Sequence, residues 1–235
     1  MKKVLIGTSG WSYSWNPDGF DWYLQNSNLN AVELNMSFYR FPFPNMVKSW
    51  ARKTPENFFW SIKVNKWITH NTKFSEKSYS LWKKFHRIFE PLEDKIKFYL
   101  FQLPAKIQPT EKFLSRVVRF LEETNIGDKF VLEGRTIEWF SEETLNWARE
   151  NKVTLCSVDA PFLINGIVKT TDIVYLRFHG REFWYSYNYS VEELAEIAEQ
   201  IIKKNPDTIA VFFNNNHDML HNANEFKQIL AKLIH

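Results

Sequence analysis

Three carboxylates, Glu33, Glu133 and Asp159, and one histidine, His179, each stand where a short apolar run gives way to polar residues. Carboxylates and imidazoles move protons near neutral pH, and they also ligate metals through oxygen and nitrogen. His179 lies in Tyr175-Leu176-Arg177-Phe178-His179-Gly180. Strand alternation puts Arg177 and His179 on one side and Phe178 on the other. Gly180 lets the chain turn sharply straight afterwards. A histidine so placed serves as base, acid or ligand, or else makes a structural hydrogen bond to a neighbouring loop.

Lys63, His70, Arg135, Arg177 and His179 bring positive charge to similar positions. Arginine forks match carboxylate or phosphate, and a lysine adds a point charge, so an anionic substrate group fits them. The same cations offer the carboxylates a structural role, as ion pairs that hold the ends of strands together. Lys63 as a Schiff-base nucleophile is a minor alternative, because it needs a desolvating or cationic environment. Asn35, Gln102 and Asn214 add amides that orient polar ligands, and Trp11 and Tyr39 add aromatic faces. Lys63, Arg135 and Arg177 balance Glu33, Glu133 and Asp159, so the expectation is a pocket with no cofactor and no tightly held divalent metal. The alternative is a metal site with Glu33, Glu133, Asp159 and His179 as ligands. His217 and His221 are four apart, which on a helix gives one face, but the residues between them complete no metal motif. Phosphate-loop, dinucleotide and serine-elbow glycine motifs are absent.

Eight apolar runs carry these residues: Val4–Gly7, Ala31–Val32, Phe58–Ile62, Phe98–Phe101, Phe130–Leu132, Thr154–Val158, Val174–Leu176 and Ala210–Phe213. Between them lie helical patterns, legible in Leu81/Trp82/Phe85/Ile88/Phe89, Phe113/Leu114/Val117/Val118/Leu121, Leu194/Ile197/Ala198/Ile201/Ile202 and Phe226/Ile229/Leu230/Leu233. Ser190-Val191-Glu192-Glu193 reads as a capping box, and Asn224 as the cap of the last helix. Repeated βα units predict an α/β fold, a single TIM-like (β/α)₈ barrel over residues 1–235. In such a barrel all eight strand ends share one face, so the polar residues above are expected to line one cavity. The crossover before the seventh strand, around Ala160–Thr171, shows no helical pattern and is expected to be irregular. Phe38–Pro44 should be extended because of its two prolines, and with Lys66–Phe74 it should form a wall or lid.

At 235 residues with 44% hydrophobic residues the chain can bury a core unaided. The net charge of +3 does not by itself argue for nucleic acid, and no membrane-length apolar run occurs. The 17% aromatic content, with 10 Trp and 21 Phe, reads first as core packing and second as a surface for stacking sugars or bases. The single cysteine, Cys156, suits a reducing compartment. The apolar stretch after Lys2-Lys3 breaks at Gly7, too short for a signal peptide, so a cytoplasmic location is expected.

Several elements together resemble the domain-of-unknown-function 72 family, the YecE-like proteins. They are Gly7-Thr8-Ser9-Gly10-Trp11-Ser12-Tyr13, Val32-Glu33-Leu34-Asn35 running into Phe38-Tyr39-Arg40, Thr69-His70, Gln102-Leu103-Pro104, Glu133-Gly134-Arg135 with Trp139, Arg177-Phe178-His179-Gly180, and Phe213-Asn214-Asn215 with Asn222-Ala223. The resemblance implies a TIM-type barrel with a polar pocket at the strand ends, and no established reaction. Met36-Ser37 and Gly134 depart from the family's usual residues. The combined reading is an enzyme using acid/base chemistry on a small anionic or polyhydroxylated substrate. Alternatives are a metal-dependent phosphodiester hydrolase or nuclease, and a non-catalytic module binding nucleic acid or glycan.

Overall fold

The computed structural model describes residues 2–163 and 166–234. In chain order its elements are β1 (Lys3–Thr8), α1 (Gly19–Asn26), β2 (Ala31–Leu34), α2 (Met36–Tyr39), α3 (Pro44–Lys53), β3 (Phe59–Lys63), α4 (Lys77–Phe89), β4 (Ile96–Gln102), α5 (Glu111–Thr124) and β5 (Phe130–Glu133). They continue as α6 (Glu142–Glu150), β6 (Thr154–Asp159), β7 (Ile173–Phe178), α7 (Val191–Lys203), β8 (Thr208–Phe213) and α8 (Met219–Ile234). The eight strands follow one another in chain order as a closed parallel barrel, the TIM-barrel fold. All eight apolar runs form strands. They are nearly unbroken because a parallel strand is buried on both faces, so neither face needs polar residues.

The contacts divide the chain into two compact units, Met1–Glu33 with Thr154–His235, and Leu34–Val153. In the first, β1 pairs in parallel with β2 and β8, and β7 with β6 and β8. α7 begins at the expected capping box: Ser190 Oγ accepts from the Glu193 N–H, and Glu193 accepts from the Ser190 N–H. Its Leu194, Ile197, Ala198 and Ile201 are buried. Residues 160–172 contain no helix among those described, and Ile164 and Asn165 of that expected irregular crossover lie outside the described residues. Asn224 is not a cap. α8 starts at Met219, and the Asn224 amide donates to Leu220 O within the helix and to Ser27 O.

In the second unit β4 pairs with β3 and β5. Phe113, Val117 and Phe120 of α5 are buried, and Phe74 sits among Phe101, Phe113, Phe120 and Phe130. The Phe38–Pro44 segment is only partly extended. Phe38 and Tyr39 belong to the short α2, and Pro44 opens α3, where a missing N–H costs nothing. Lys66–Phe74 is no open loop either: Trp67–Asn71 forms a π-helical turn.

Candidate active site

The core of the first unit's site is a buried charge network at the ends of β1, β2 and β7. Arg177 and Glu33 are both fully buried, and Arg177 Nη2 donates to Glu33 Oε1 at 2.6 Å. Ser9 Oγ donates to the same oxygen at 2.7 Å, and the Tyr175 hydroxyl donates to Oε2 at 2.8 Å. The register explains the convergence. Tyr175 pairs with Ala210 and Arg177 with Phe212, so Tyr175 and Arg177 share a face two residues apart. Two ions buried together are tolerated only when good geometry and further hydrogen bonds offset their desolvation, and the Ser9 and Tyr175 hydroxyls supply those bonds.

His179 continues this face. Its Nε2 lies 3.2 Å from Arg177 Nη1, and its Nδ1 lies 3.2 Å from the Asn214 side-chain amide. A guanidinium has donors and no acceptor, so Nε2 must offer its lone pair to Arg177. If the neutral ring carries its proton on Nδ1, the Asn214 amide, whose Nδ2 is the atom placed 3.2 Å away, must turn so that its oxygen accepts there. Amide orientation follows from the hydrogen-bond partners in this way. The chain of contacts orients the ring: Glu33 holds Arg177, Arg177 Nη1 meets Nε2, and the Asn214 amide meets Nδ1. The Trp184 and Tyr185 rings each lie 5.5 Å from the imidazole, Tyr185 edge-on. His179 is fully buried, whereas those two rings are more than a third exposed. Trp11, partly exposed, packs on Phe20 at 4.8 Å.

The structure turns the Asp159 carboxylate elsewhere. It accepts from the Tyr189 hydroxyl at 2.7 Å and from Arg181 Nε at 3.2 Å. Arg181 Nη1 also pairs with Glu193 at 3.1 Å. Asp159 is in register with Phe178, which stacks on Phe213 and meets Phe226 of α8, so its position faces the helices. Burial pushes the Asp159 carboxyl up, against the lowering effect of Tyr189 and Arg181. The group ties the β7–α7 loop to the end of β6. Sequence reading selected Asp159 by its place at a strand end; its parity with Phe178 was the signal for the outer face.

A second cluster belongs to the other unit. Glu133 is in register with Gln102, whose amide donates to it at 2.9 Å, and Arg135 Nε pairs with it at 2.7 Å. Lys63 is buried with Nζ 4.5 Å over the Phe38 ring. His70 meets the same ring edge-on at 5.1 Å, and Thr69 Oγ1 lies 2.8 Å from its Nδ1. His70 is pushed down to about 4, first by burial and then by the charges of Lys63, Lys66 and Arg135. Tyr39 is exposed beneath Lys66, whose Nζ lies 5.9 Å over its ring. Asn35 precedes α2, where its side chain makes no cap bond. Each of the three carboxylates therefore has an arginine partner. Ser9, Tyr175, Arg181 and Tyr189 enter these networks unforeseen. Tyr175 was detectable as the residue two before Arg177, and Ser9 as the polar ending of the first strand.

His217 and His221 do not share a helical face. His217 sits in the 3₁₀ turn Asn216–Asp218, 3.0 Å from Ser14 Oγ, and His221 pairs with Glu225 within α8. Among the described residues no group of three or more His, Cys, Asp or Glu is arranged to hold a metal ion. No helix among them is long and apolar enough to cross a membrane.

Residues 5–234 match the family model described as "Protein of unknown function DUF72". The chain is 24% identical over 241 residues to the UPF0759 protein YunF of Bacillus subtilis, covering 87% of this chain and 84% of YunF. It is 28% identical over 149 residues to the UPF0759 protein YecE of Escherichia coli K12, covering 61% of this chain and 54% of YecE. The crystal structure of a DUF72 family protein from Thermotoga maritima superposes with a TM-score of 0.84 at 29% identity, covering 97% of this chain and 99% of the other. With the match spanning nearly every element from β1 to α8, this chain belongs to the DUF72 family.

Proposed function

We propose that the chain is an enzyme that performs acid/base chemistry on a small polyhydroxylated or anionic substrate, with His179 as the group that carries the proton. The observation that supports this is the fixed imidazole, held at one nitrogen by Arg177 and at the other by Asn214. A base oriented by a second group, itself oriented by a third, is the pattern of proton-transfer sites. Nε2 is the nitrogen with the lone pair. A substrate hydroxyl or C–H that gives up its proton there takes the place of Arg177 Nη1. The imidazolium so formed would be repelled by a bare guanidinium, but Glu33 at 2.6 Å offsets that charge. Trp184 and Tyr185 offer aromatic faces on which a sugar ring can stack as it approaches.

The test is solvent exchange. A panel of aldoses, ketoses and their phosphates is incubated with the protein in D₂O, and deuterium incorporation or product is followed by NMR and mass spectrometry. Turnover that survives a chelator and is lost in His179→Gln, with the fold intact, is the expected result. Salt-sensitive binding without exchange or turnover sinks the enzyme reading and favours a binding module. Turnover lost with the chelator and restored by a divalent ion favours a metallohydrolase.

A further inference from the structure

Within the Leu34–Val153 unit a pocket of about 300 Å³ opens between α4 and α5. Its construction begins at Phe74. Lys73 and Phe74 both adopt left-handed backbone, with φ +48° and +57°. Bulky residues keep that conformation only where their surroundings hold it. Here the Phe74 ring is buried against Phe113 and Phe120 of α5, at 5.9 and 5.1 Å. The anchored turn sets Ser75 and Lys77 beside the α5 face that carries Arg116 and Arg119, and these four residues with Tyr79 line the pocket over Phe74. Arg116 and Arg119 are three apart, so they share a helix face, where like charges repel. Glu122 and Glu123 follow Arg119 at the spacing of helix ion pairs, yet it pairs with neither. Among the described residues Lys77, Arg116 and Arg119 make no hydrogen bond or ion pair, and Arg116 is only partly exposed. The Ser75 hydroxyl has no partner among them either. One carboxylate, Glu76, also lines the pocket, so three cations stand against one carboxylate.

We propose that this pocket binds one phosphate dianion per chain, free or as the monoester of a small molecule. Two guanidinium forks and an ammonium point charge are the donors such a group selects, and the Ser75 hydroxyl adds a neutral one. A dianion matches the two-charge excess of the lining. It also relieves the repulsion between Arg116 and Arg119, which no carboxylate of the chain relieves among the described residues. The pocket is open and its charges are screened by salt, so a millimolar affinity is expected. The site shares no residue with Glu33, Arg177, His179 or Asn214, so it can hold true if the acid/base reading fails, and the reverse.

The experiment is a titration of the full chain with inorganic phosphate, glycerol phosphate and, as the uncharged control, glycerol. It is read by calorimetry and by the ring-proton signals of Tyr79, which are identified by their loss in Tyr79→Phe. Saturable one-site binding of both anions that shifts the Tyr79 signals, with none of glycerol, is expected. Arg116→Gln and Arg119→Gln should each weaken it about fivefold, and Lys77→Gln about threefold. Glu76→Gln should strengthen it about threefold, a gain that damage to the fold cannot mimic. Tighter binding of the ester than of inorganic phosphate identifies a phosphorylated organic molecule; equal affinities identify the free anion. No saturable binding, binding that neither arginine variant weakens or that Glu76→Gln fails to strengthen, or binding without a Tyr79 shift overturns the proposal. So does an affinity that climbs with the length of single-stranded oligonucleotides, which would mark a surface for polyanions rather than a pocket for one phosphate.

Discussion

At the scale of single residues, the Glu33–Arg177 pair sets the energetics. Both groups are fully buried, and Arg177 also positions His179. Removing one partner of a buried pair leaves a charge in a poorly solvating place, which costs about 3–5 kcal/mol. Glu33→Gln is therefore expected to destabilise the protein by that order in urea unfolding. Glu33→Gln with Arg177→Met, which removes both charges, should recover much of the loss. A double variant no more stable than the single one would mean that hydrogen-bond geometry, not charge, dominates. Gly134 gives a second prediction at this scale. A Cβ there would run into the Trp139 side chain, which is buried and donates from Nε1 to Ile107 O at 2.8 Å. Gly134→Ala should cost roughly 1–3 kcal/mol as overpacking. This accounts for a glycine between Glu133 and Arg135. The sequence displayed Gly134 and Trp139 as neighbours in a motif, but their contact is made by the 3₁₀ turn Ile137–Phe140, which no periodicity announced.

At the scale of elements, the strands were legible and the short helices were not. A parallel strand buried on both faces leaves an unmistakable apolar run, as in Phe98–Phe101. Helices α4, α5, α7 and α8 left repeating faces. α2 has four residues, too few for a period, and α3 begins at a proline that read as a break. Polar residues at strand ends were legible by position, while their partners were not, since Arg181 and Tyr189 reach Asp159 from beyond β7. That β7–α7 loop is the element most exposed to test. Gly180 has φ +99°, and a Cβ there would meet Phe183 O at 2.6 Å and Tyr187 Cβ at 2.7 Å. Gly180→Ala is expected to displace the turn and lift Trp184 from His179. The readout is Trp184 fluorescence and its quenching by acrylamide, with Trp184→Phe as the reference. Unchanged quenching in Gly180→Ala would mean that the loop is held by the Asp159–Arg181–Glu193 chain rather than by the turn.

At the scale of the whole molecule, the buried and half-buried ionisable groups predict how stability varies with pH. His70 falls from 6.5 to about 4 in the folded chain, so between those values the unfolded chain binds the extra proton. Stability must then decline as pH falls from about 6.5 towards 4, because protons favour the state that binds them. Glu93 acts next. Burial opposes its ionisation, but hydrogen bonds from His86, Lys129 and Tyr99 outweigh this and bring it from 4.5 to about 2. A lowered carboxyl contributes fully above its unfolded value and loses that contribution as pH drops from about 4.5 towards 2. Asp159, raised by burial, has the opposite sign: its folded form holds a proton the unfolded chain releases, so it favours folding on the acid side of its range. Raw curves therefore mix the last two, and differences between variants separate them. Allowing for solvent screening of partly exposed groups, His70 and Glu93 should each account for about 1–2 kcal/mol. In urea unfolding followed from neutral pH down into the range of the carboxylates, His70→Gln should flatten the upper limb and leave the lower one. Glu93→Gln should be less stable than the parent at neutral pH and converge with it in acid. If His70→Gln keeps the full decline between about pH 6.5 and 4, another group carries that limb, and burial beside Lys63, Lys66 and Arg135 does not hold His70 uncharged.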